Sequence, residues 1–202
     1  MRGVGVKYLK HQAFEEGYKK LLRNYKPKGK YKLLLFMPCS YAKPYSRSYI
    51  HYFIIKTLKE TGYYNDIHQV ILTNAGIVPR ELEEYYPYVA YDWNPQYETM
   101  EIKKLYIQVL YERLKSFILK FRNYYENMAC YLRWNSDSYK AIKLVEKELK
   151  VSIPNLAPRN VPKEEIEKAA LGIYTYEEDI VLITETALKT LKESIRKIVS
   201  GK

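Results

Sequence analysis

The chain has 202 residues, 47% of them apolar, and a formal net charge of +11. That length suits one domain with a sizeable core, the apolar content excludes wholesale disorder, and no apolar run approaches the ~20 residues a bilayer span needs. Its two cysteines, Cys39 and Cys130, form neither a disulfide framework nor a zinc motif.

The charge is concentrated at the start of the chain. Residues 1–32 hold ten Lys/Arg against Glu15 and Glu16. Tyr8, Tyr18, Tyr25 and Tyr31 are interleaved with them. Lys19, Lys20, Arg23, Lys26, Lys28 and Lys30 are therefore candidates for nucleic-acid phosphates, with the tyrosines as stacking groups. A Lys-rich solvated surface of a heat-adapted protein is the plainer use of the same residues. The division expected is a basic arm or helix over residues 1–30 and a single α/β domain over 31–202. The first residues lack a signal-peptide core, so a cytoplasmic protein without a membrane partner is expected.

Residues 12–24 read as a helix that Gly17 weakens. YKLLLFM, 31–37, is a continuous apolar run ending before Pro38, the pattern of a strand buried on both faces. Residues 47–62 read as a helix, with Ser46 or Ser48 as cap and Gly62 as stop. A second strand is expected at 68–74, then a loop with a short helical turn, then a third strand at 88–93. A long amphipathic helix follows at 97–123, a fourth strand at 127–134 and a helix at 136–150. After a proline-bearing loop come a helix at 162–172, a strand or buried run at 179–184 and a closing helix at 184–199. This alternation predicts an α/β fold, a three-layer α/β/α sandwich with a mainly parallel central sheet.

Ligands of such sheets bind outside the carboxyl ends of the strands. The loop from Pro38 to Ser48 leaves one such end, and Asn74, Asp92-Trp93 and Arg133-Trp134-Asn135 leave others. There is no Gly-x-Gly-x-x-Gly and no Gly-Lys-Ser/Thr loop, and no cofactor is expected. Cys39 precedes a helix whose N-terminus would favour a thiolate, with Lys43 and His51 nearby. Each residue also has an ordinary use: Cys39 as a small buried group, Ser46 or Ser48 as a cap, His51 as a partner for the loop backbone.

The spacing Pro38-Cys39, Lys43-Pro44-Tyr45, Ser48, His51 resembles the signature of archaeosine synthase, the archaeal paralogue of tRNA-guanine transglycosylase. A second block, Thr73 to Asp92, is similar to the family's stretch after its second strand, with Gly76, Val78-Pro79-Arg80-Glu81-Leu82 and Tyr86-Pro87. The resemblance covers roughly residues 30–150. It implies a uracil-DNA-glycosylase-like fold and a tRNA substrate carrying 7-cyano-7-deazaguanine in its D-arm. The reaction implied is addition of an amine, lysine in the family, to the nitrile. Within it, Cys39 either attacks to give a thioimidate or shapes the pocket while the amine attacks directly. His51 would move protons and Tyr45 would stabilise the nitrogen. Ser40, Lys43, Ser46, Ser48, Asn74, Arg80 and Glu81 would bind substrate.

The transglycosylase barrel, its cysteine-rich zinc motif and a C-terminal RNA-binding domain are not evident. The chain thus looks like the core domain alone, with a separate transglycosylase-like or RNA-binding subunit as its partner. Two other classes compete. A glycosylase acting on nucleic acid would need a carboxylate or an Asn–water pair after the first strand, and Pro38 to Ser48 holds no Asp or Glu. A non-catalytic tRNA-binding subunit would present substrate to a separate transglycosylase-like chain; the short chain favours such partnership, and the intact motif counts against pure scaffolding.

Overall fold

A computed structural model describes residues 5–174 and 177–201. Two N-terminal helices, α1 (Val6–Leu9) and α2 (Gln12–Asn24), precede β1 (Tyr31–Met37). Then come α3 (Tyr49–Glu60), β2 (Ile67–Thr73), β3 (Gly76–Pro79), α4 (Met100–Phe121) and β4 (Tyr125–Cys130). Three helices close the chain: α5 (Asp137–Leu149), α6 (Lys163–Ala170) and α7 (Glu185–Ser200). No helix among the described residues is long and apolar enough to cross a membrane.

The sheet has the order β3-β2-β1-β4. β1 runs parallel to both β2 and β4, whereas β3 returns antiparallel along β2. The sheet is therefore mixed rather than mainly parallel, and the difference arises at a turn. The Thr73 hydroxyl accepts from the backbone N–H groups of Ala75 and Gly76. Gly76 sits at φ +133°, a conformation that disfavours any side chain. The chain consequently doubles back into a hairpin where a loop was expected. Residues 88–93 form no strand: 88–90 are turn and bend, and Asp92 makes an isolated bridge. Tyr88, Tyr91 and Trp93 are instead loop side chains buried in the core. The expected strand or buried run near the C-terminus is a 3₁₀ helix, Glu178–Ile183, that buries Ile180, Leu182 and Ile183.

The continuous apolar run of β1 has its explanation in two cores. Leu33, Leu35 and Met37 join Ile54 and Leu58 of α3 and Leu191 and Ile195 of α7. Leu34 and Phe36 join Leu110, Leu114 and Phe117 of α4 and Ala141, Ile142 and Val145 of α5. Alternate residues of one strand feed opposite faces, so every position must be apolar. At ~1.5–3 kcal/mol for each large apolar side chain buried, this strand anchors the sheet.

α2 packs against β3 and α4. Its Phe14 enters the first core, and its Tyr18 and Leu21 enter the second. Gly17 is where α2 closes on the 84–93 loop. A Cβ there would lie 3.0 Å from Pro87 Cδ, and the Tyr88 hydroxyl donates to the Gly17 carbonyl at 3.3 Å. The cost of glycine in a helix is thus tied to a close approach. Lys19, Lys20, Arg23, Lys26, Lys28 and Lys30 all remain exposed.

Candidate active site

β1 ends at Met37, and the loop that follows leads through a short 3₁₀ turn (Tyr45–Arg47) into α3. Ser48 caps that helix by accepting from the His51 N–H at 3.1 Å. This is the ordinary cap geometry, and it fixes where the loop ends.

The loop folds over residues brought from far along the chain. Tyr45 is fully buried, and its hydroxyl lies 3.1 Å from the Tyr91 hydroxyl and 3.4 Å from the Tyr88 carbonyl. The Tyr91 hydroxyl is in turn 3.5 Å from Cys39 Sγ. Lys43 Nζ lies 4.1 Å from the centroid of the Tyr91 ring and 5.8 Å from that of Tyr45, and it donates to the Tyr41 carbonyl. Phe14 of α2 meets the other side of this group, edge-on to Tyr91 at 5.5 Å. Cys39, Lys43, Tyr45 and Tyr91 therefore form one group at the carboxyl end of β1, and Cys39 is only partly buried.

Burial pushes the Cys39 thiol above its ordinary value, and Lys43 and the Tyr91 hydrogen bond offset only part of that effect. The thiolate expected from a helix N-terminus is not what this environment favours. α3 begins only at Tyr49, and its end is occupied by its own Ser48 cap. Burial also raises Tyr45 and Tyr91 well above the usual phenol range.

His51 sits just beneath this group, fully buried. Its Nδ1 is 2.8 Å from Arg80 Nη2, and its Nε2 is 2.9 Å from the Pro38 carbonyl. Arginine only donates, so Nδ1 accepts and the proton resides on Nε2. Burial, and then the Arg80 charge, pull His51 down to about 3. Arg80 also bonds Glu83 at 2.9 Å and Gln69 at 3.2 Å. Glu83 accepts from the Ser46 N–H at 3.0 Å, tying this network to the loop. Ser40 closes a local turn onto the Ala42 carbonyl. Asn74 is half-buried in the turn between β2 and β3.

Glu81 follows Arg80 in sequence but turns elsewhere. Tyr25 donates to its carboxylate at 2.6 Å, and His68 Nε2 lies 3.4 Å away. His68 Nε2 also meets the Tyr25 hydroxyl at 2.9 Å, and its Nδ1 meets the Tyr125 hydroxyl at 2.7 Å. The Tyr31 and Tyr125 rings lie near-parallel to His68, with centroids at 4.9 and 5.5 Å, and 6.3 Å from one another. Tyr31 and Tyr125 open their strands, and His68 lies one residue into β2. This cluster therefore occupies the amino ends of the strands. Burial alone would raise Glu81, but the hydrogen bonds from His68 and Tyr25 hold it at about 2.

The sequence-predicted residues thus divide. Cys39, Lys43 and Tyr45 meet. His51, Arg80, Ser46 and Ser48 form the layer beneath them. Glu81 belongs to the opposite edge. Tyr91 is the member that sequence reasoning missed. It lies within the block Thr73–Asp92, but in a run rich in the aromatic residues that strands favour. Arg133 and Asp179, paired at 2.7 Å, were likewise not singled out as a pair. Among the described residues, no group of three or more His, Cys, Asp or Glu is arranged to hold a metal.

A family model described as "Domain of unknown function (DUF5591)" matches residues 15–168. Archaeosine synthase subunit alpha of Thermoplasma acidophilum is 41% identical over 97 residues, which are 44% of this chain and 19% of that protein. The protein of the same name from Methanosarcina acetivorans is 48% identical over 61 residues, 30% of this chain and 9% of that protein. The matches thus span a small part of these curated relatives. Among solved structures, the crystal structure of AF0587, a protein of unknown function, is similar in fold. Its TM-score is 0.54 at 18% identity, over 88% of this chain and 48% of that one.

Proposed function

The chain belongs to the family described as domain of unknown function DUF5591, and from that membership and the geometry around Cys39 we propose that it takes part in archaeosine modification of tRNA. In this proposal the edge around Cys39 adds an amine, lysine by the resemblance, to the nitrile of 7-cyano-7-deazaguanine already in tRNA. The observation that carries it is the meeting of Cys39, Lys43, Tyr45 and Tyr91 at one strand end, in a chain whose relatives are named archaeosine synthase subunit alpha. The sheet with helices on both faces is read as the three-layer, uracil-DNA-glycosylase-like arrangement.

A nitrile is a weak electrophile, and a thiol step divides its conversion into two easier ones. Cys39 attacks the nitrile carbon to give a thioimidate, and the amine then displaces the thiol. Lys43 holds negative charge on the substrate. With both ring nitrogens already engaged, His51 acts by fixing the Pro38 carbonyl, and so the start of the Cys39 loop, rather than by carrying protons. Ser40, Ser46, Ser48 and Arg80 keep the loop in shape, and Asn74 forms the wall at the neighbouring strand end. The segment 1–30 offers Lys19, Lys20, Arg23, Lys26, Lys28 and Lys30 to tRNA phosphates, laid on the domain over 31–202, in the cytoplasm.

The test is chemical. Incubation with nitrile-bearing tRNA and no amine should leave a thioimidate, seen as a mass increase on the protein, that Cys39→Ala abolishes without loss of tRNA affinity. A Cys39→Ala chain that still adds the amine would make direct attack the mechanism.

A second reading, that the chain is one subunit of a split enzyme, is favoured by the small part of each relative that it matches. Activity that emerges only on mixing with a transglycosylase-like chain would establish it. An isolated chain that turns over at full rate would dismiss it.

A further inference from the structure

We propose that Tyr91 is a catalytic residue of this site, relaying the Cys39 proton to the nitrile nitrogen as the carbon–sulfur bond forms. The inference rests on the thioimidate reading above and adds a residue that the motif does not contain.

The Cys39 thiol is held protonated where it stands. Lys43 is the cation whose charge bears on Cys39, and it only partly offsets burial. The other groups facing Cys39 are Tyr91 by its hydrogen bond, Tyr45 from the loop before α3, Asp179 from the 3₁₀ segment before α7, and Tyr106 from α4. Asp179 adds negative charge and opposes a thiolate further. The nucleophile therefore reacts as S–H, and its proton has to leave during attack. The nitrile nitrogen, meanwhile, has to gain a proton.

Tyr91 is placed for both transfers. Its hydroxyl is 3.5 Å from Cys39 Sγ. A nitrile carbon bonding to that sulfur brings its nitrogen against the same hydroxyl. The balance closes on one group: the S–C bond forms and one C≡N π pair becomes the new N–H bond. The Tyr91 proton goes to nitrogen and the sulfur proton replaces it. Tyr91 ends as the neutral phenol it began as, and no oxidant or further reactant enters. When the amine displaces the thiol, the attacking amine nitrogen gives a proton to Tyr91 and Tyr91 returns one to sulfur as the S–C bond breaks.

Two neighbours ease the transient negative charge on the Tyr91 oxygen. Tyr45 has one hydroxyl proton and two acceptors in reach, the Tyr88 carbonyl and the Tyr91 oxygen. Donation to Tyr91 strengthens as charge builds there. The Lys43 ammonium over the Tyr91 ring adds a fixed positive charge. Phe14 and the α2–Pro87 contact hold the loop that bears Tyr91.

The test follows adduct formation on nitrile-bearing tRNA, in single turnover, from pH 6 to 9. Tyr91→Phe should slow it by at least ~10²-fold at pH 7, the low end for one acid–base group. The residual rate should climb roughly tenfold per pH unit, because only thiolate still reacts, while the intact protein stays nearly flat. Affinity for tRNA should not change. A fluorinated tyrosine at position 91, which keeps the packing and acidifies the phenol, should restore most of the rate.

A second readout is independent of tRNA. Alkylation of Cys39 by iodoacetamide should require higher pH in Tyr91→Phe, since the variant loses a hydrogen bond that stabilises the thiolate. A Tyr91→Phe chain that forms the adduct at near-normal rate overturns the relay. So does one that is slow with an unchanged pH profile and an unchanged alkylation profile. If the intact protein forms no adduct, alone or with a transglycosylase-like chain, the thioimidate reading itself fails and takes the relay with it. An adduct whose rate ignores Tyr91 removes the relay alone.

Discussion

The two ends of the parallel strands carry similar chemical groups and put them to opposite uses. At the amino ends, Tyr25, Tyr31, His68, Glu81 and Tyr125 bond and stack mainly with one another. At the carboxyl ends, Tyr45, Tyr91 and Lys43 converge on a thiol that is partly accessible. In the first cluster the carboxylate is satisfied by a phenol and an imidazole. In the second, the Cys39 thiol is left with a single weak hydroxyl contact and a short reach to its own loop. Titratable groups in a cluster are therefore no guide to reactivity until their partners are known. A cluster that completes its own hydrogen bonds stabilises the sheet, and one with a weakly engaged thiol keeps a reactive group uncommitted.

The largest effect that tests this contrast is loss of chemistry. Cys39→Ala should abolish amine addition on tRNA, whereas Glu81→Gln should leave the rate within about threefold of normal; a single acid–base group is worth ~10² or more. A Glu81→Gln chain as inactive as Cys39→Ala would mean that the two edges are not separate.

Next in size is the layer beneath the thiol. Arg80→Ala leaves Glu83 and His51 without their buried partner, and chemical denaturation should show a loss of ~3–5 kcal/mol. His51 adds a pH dependence. Its folded value of about 3 lies below the ordinary value, so the unfolded chain binds the extra proton. Stability should fall as pH drops from about 6.5 towards 3, and His51→Gln should flatten that slope.

At the amino edge the effect is smaller and its pH window lower. Glu81 is held at about 2 in the folded chain, so its contribution is complete above the ordinary carboxylate value and is lost as pH falls towards 2. Glu81→Gln should cost ~1–3 kcal/mol near neutrality in urea melts, with the difference closing below about pH 4.

The smallest effect concerns the exposed lysines. Truncating residues 1–30 would remove Phe14, Tyr18 and Leu21 from the cores, so point changes are the cleaner probe. Lys26→Ala, Lys28→Ala and Lys30→Ala together should weaken tRNA binding and lower its salt slope by about 1–3, at ~0.7–0.9 per phosphate contact. An unchanged slope would leave this end of the molecule without a part in tRNA binding.

Much of the local structure was legible in the chain. The bounds of α2 and β1 match the expected 12–24 and 31–37, because a helix with one apolar face and a strand buried on both sides each leave a periodicity. Ser48 was legible as a cap because capping acts over three residues. β3 was not legible: four residues are too few to show a period, and their pairing depends on a turn built around Thr73 and Gly76. The 88–93 segment misled because Tyr, Val and Trp are residues that strands favour, and here a loop buries Tyr88, Tyr91 and Trp93.

From the sequence alone came the loop that would bear the site and the residues within it: Cys39, Lys43, Tyr45, Ser48 and His51. Their grouping is short in range, and the strand-to-helix junction that holds them is written in local pattern. Only the tertiary structure decided what each residue has to work with. It placed Tyr91 against the thiol, sent Arg80 beneath the loop and Glu81 to the far edge, and enclosed His51 between two partners. Those outcomes depend on strand register, on the hairpin that β3 makes and on α2 closing over the 84–93 loop. They join residues tens of positions apart, and no local pattern in the chain records such contacts.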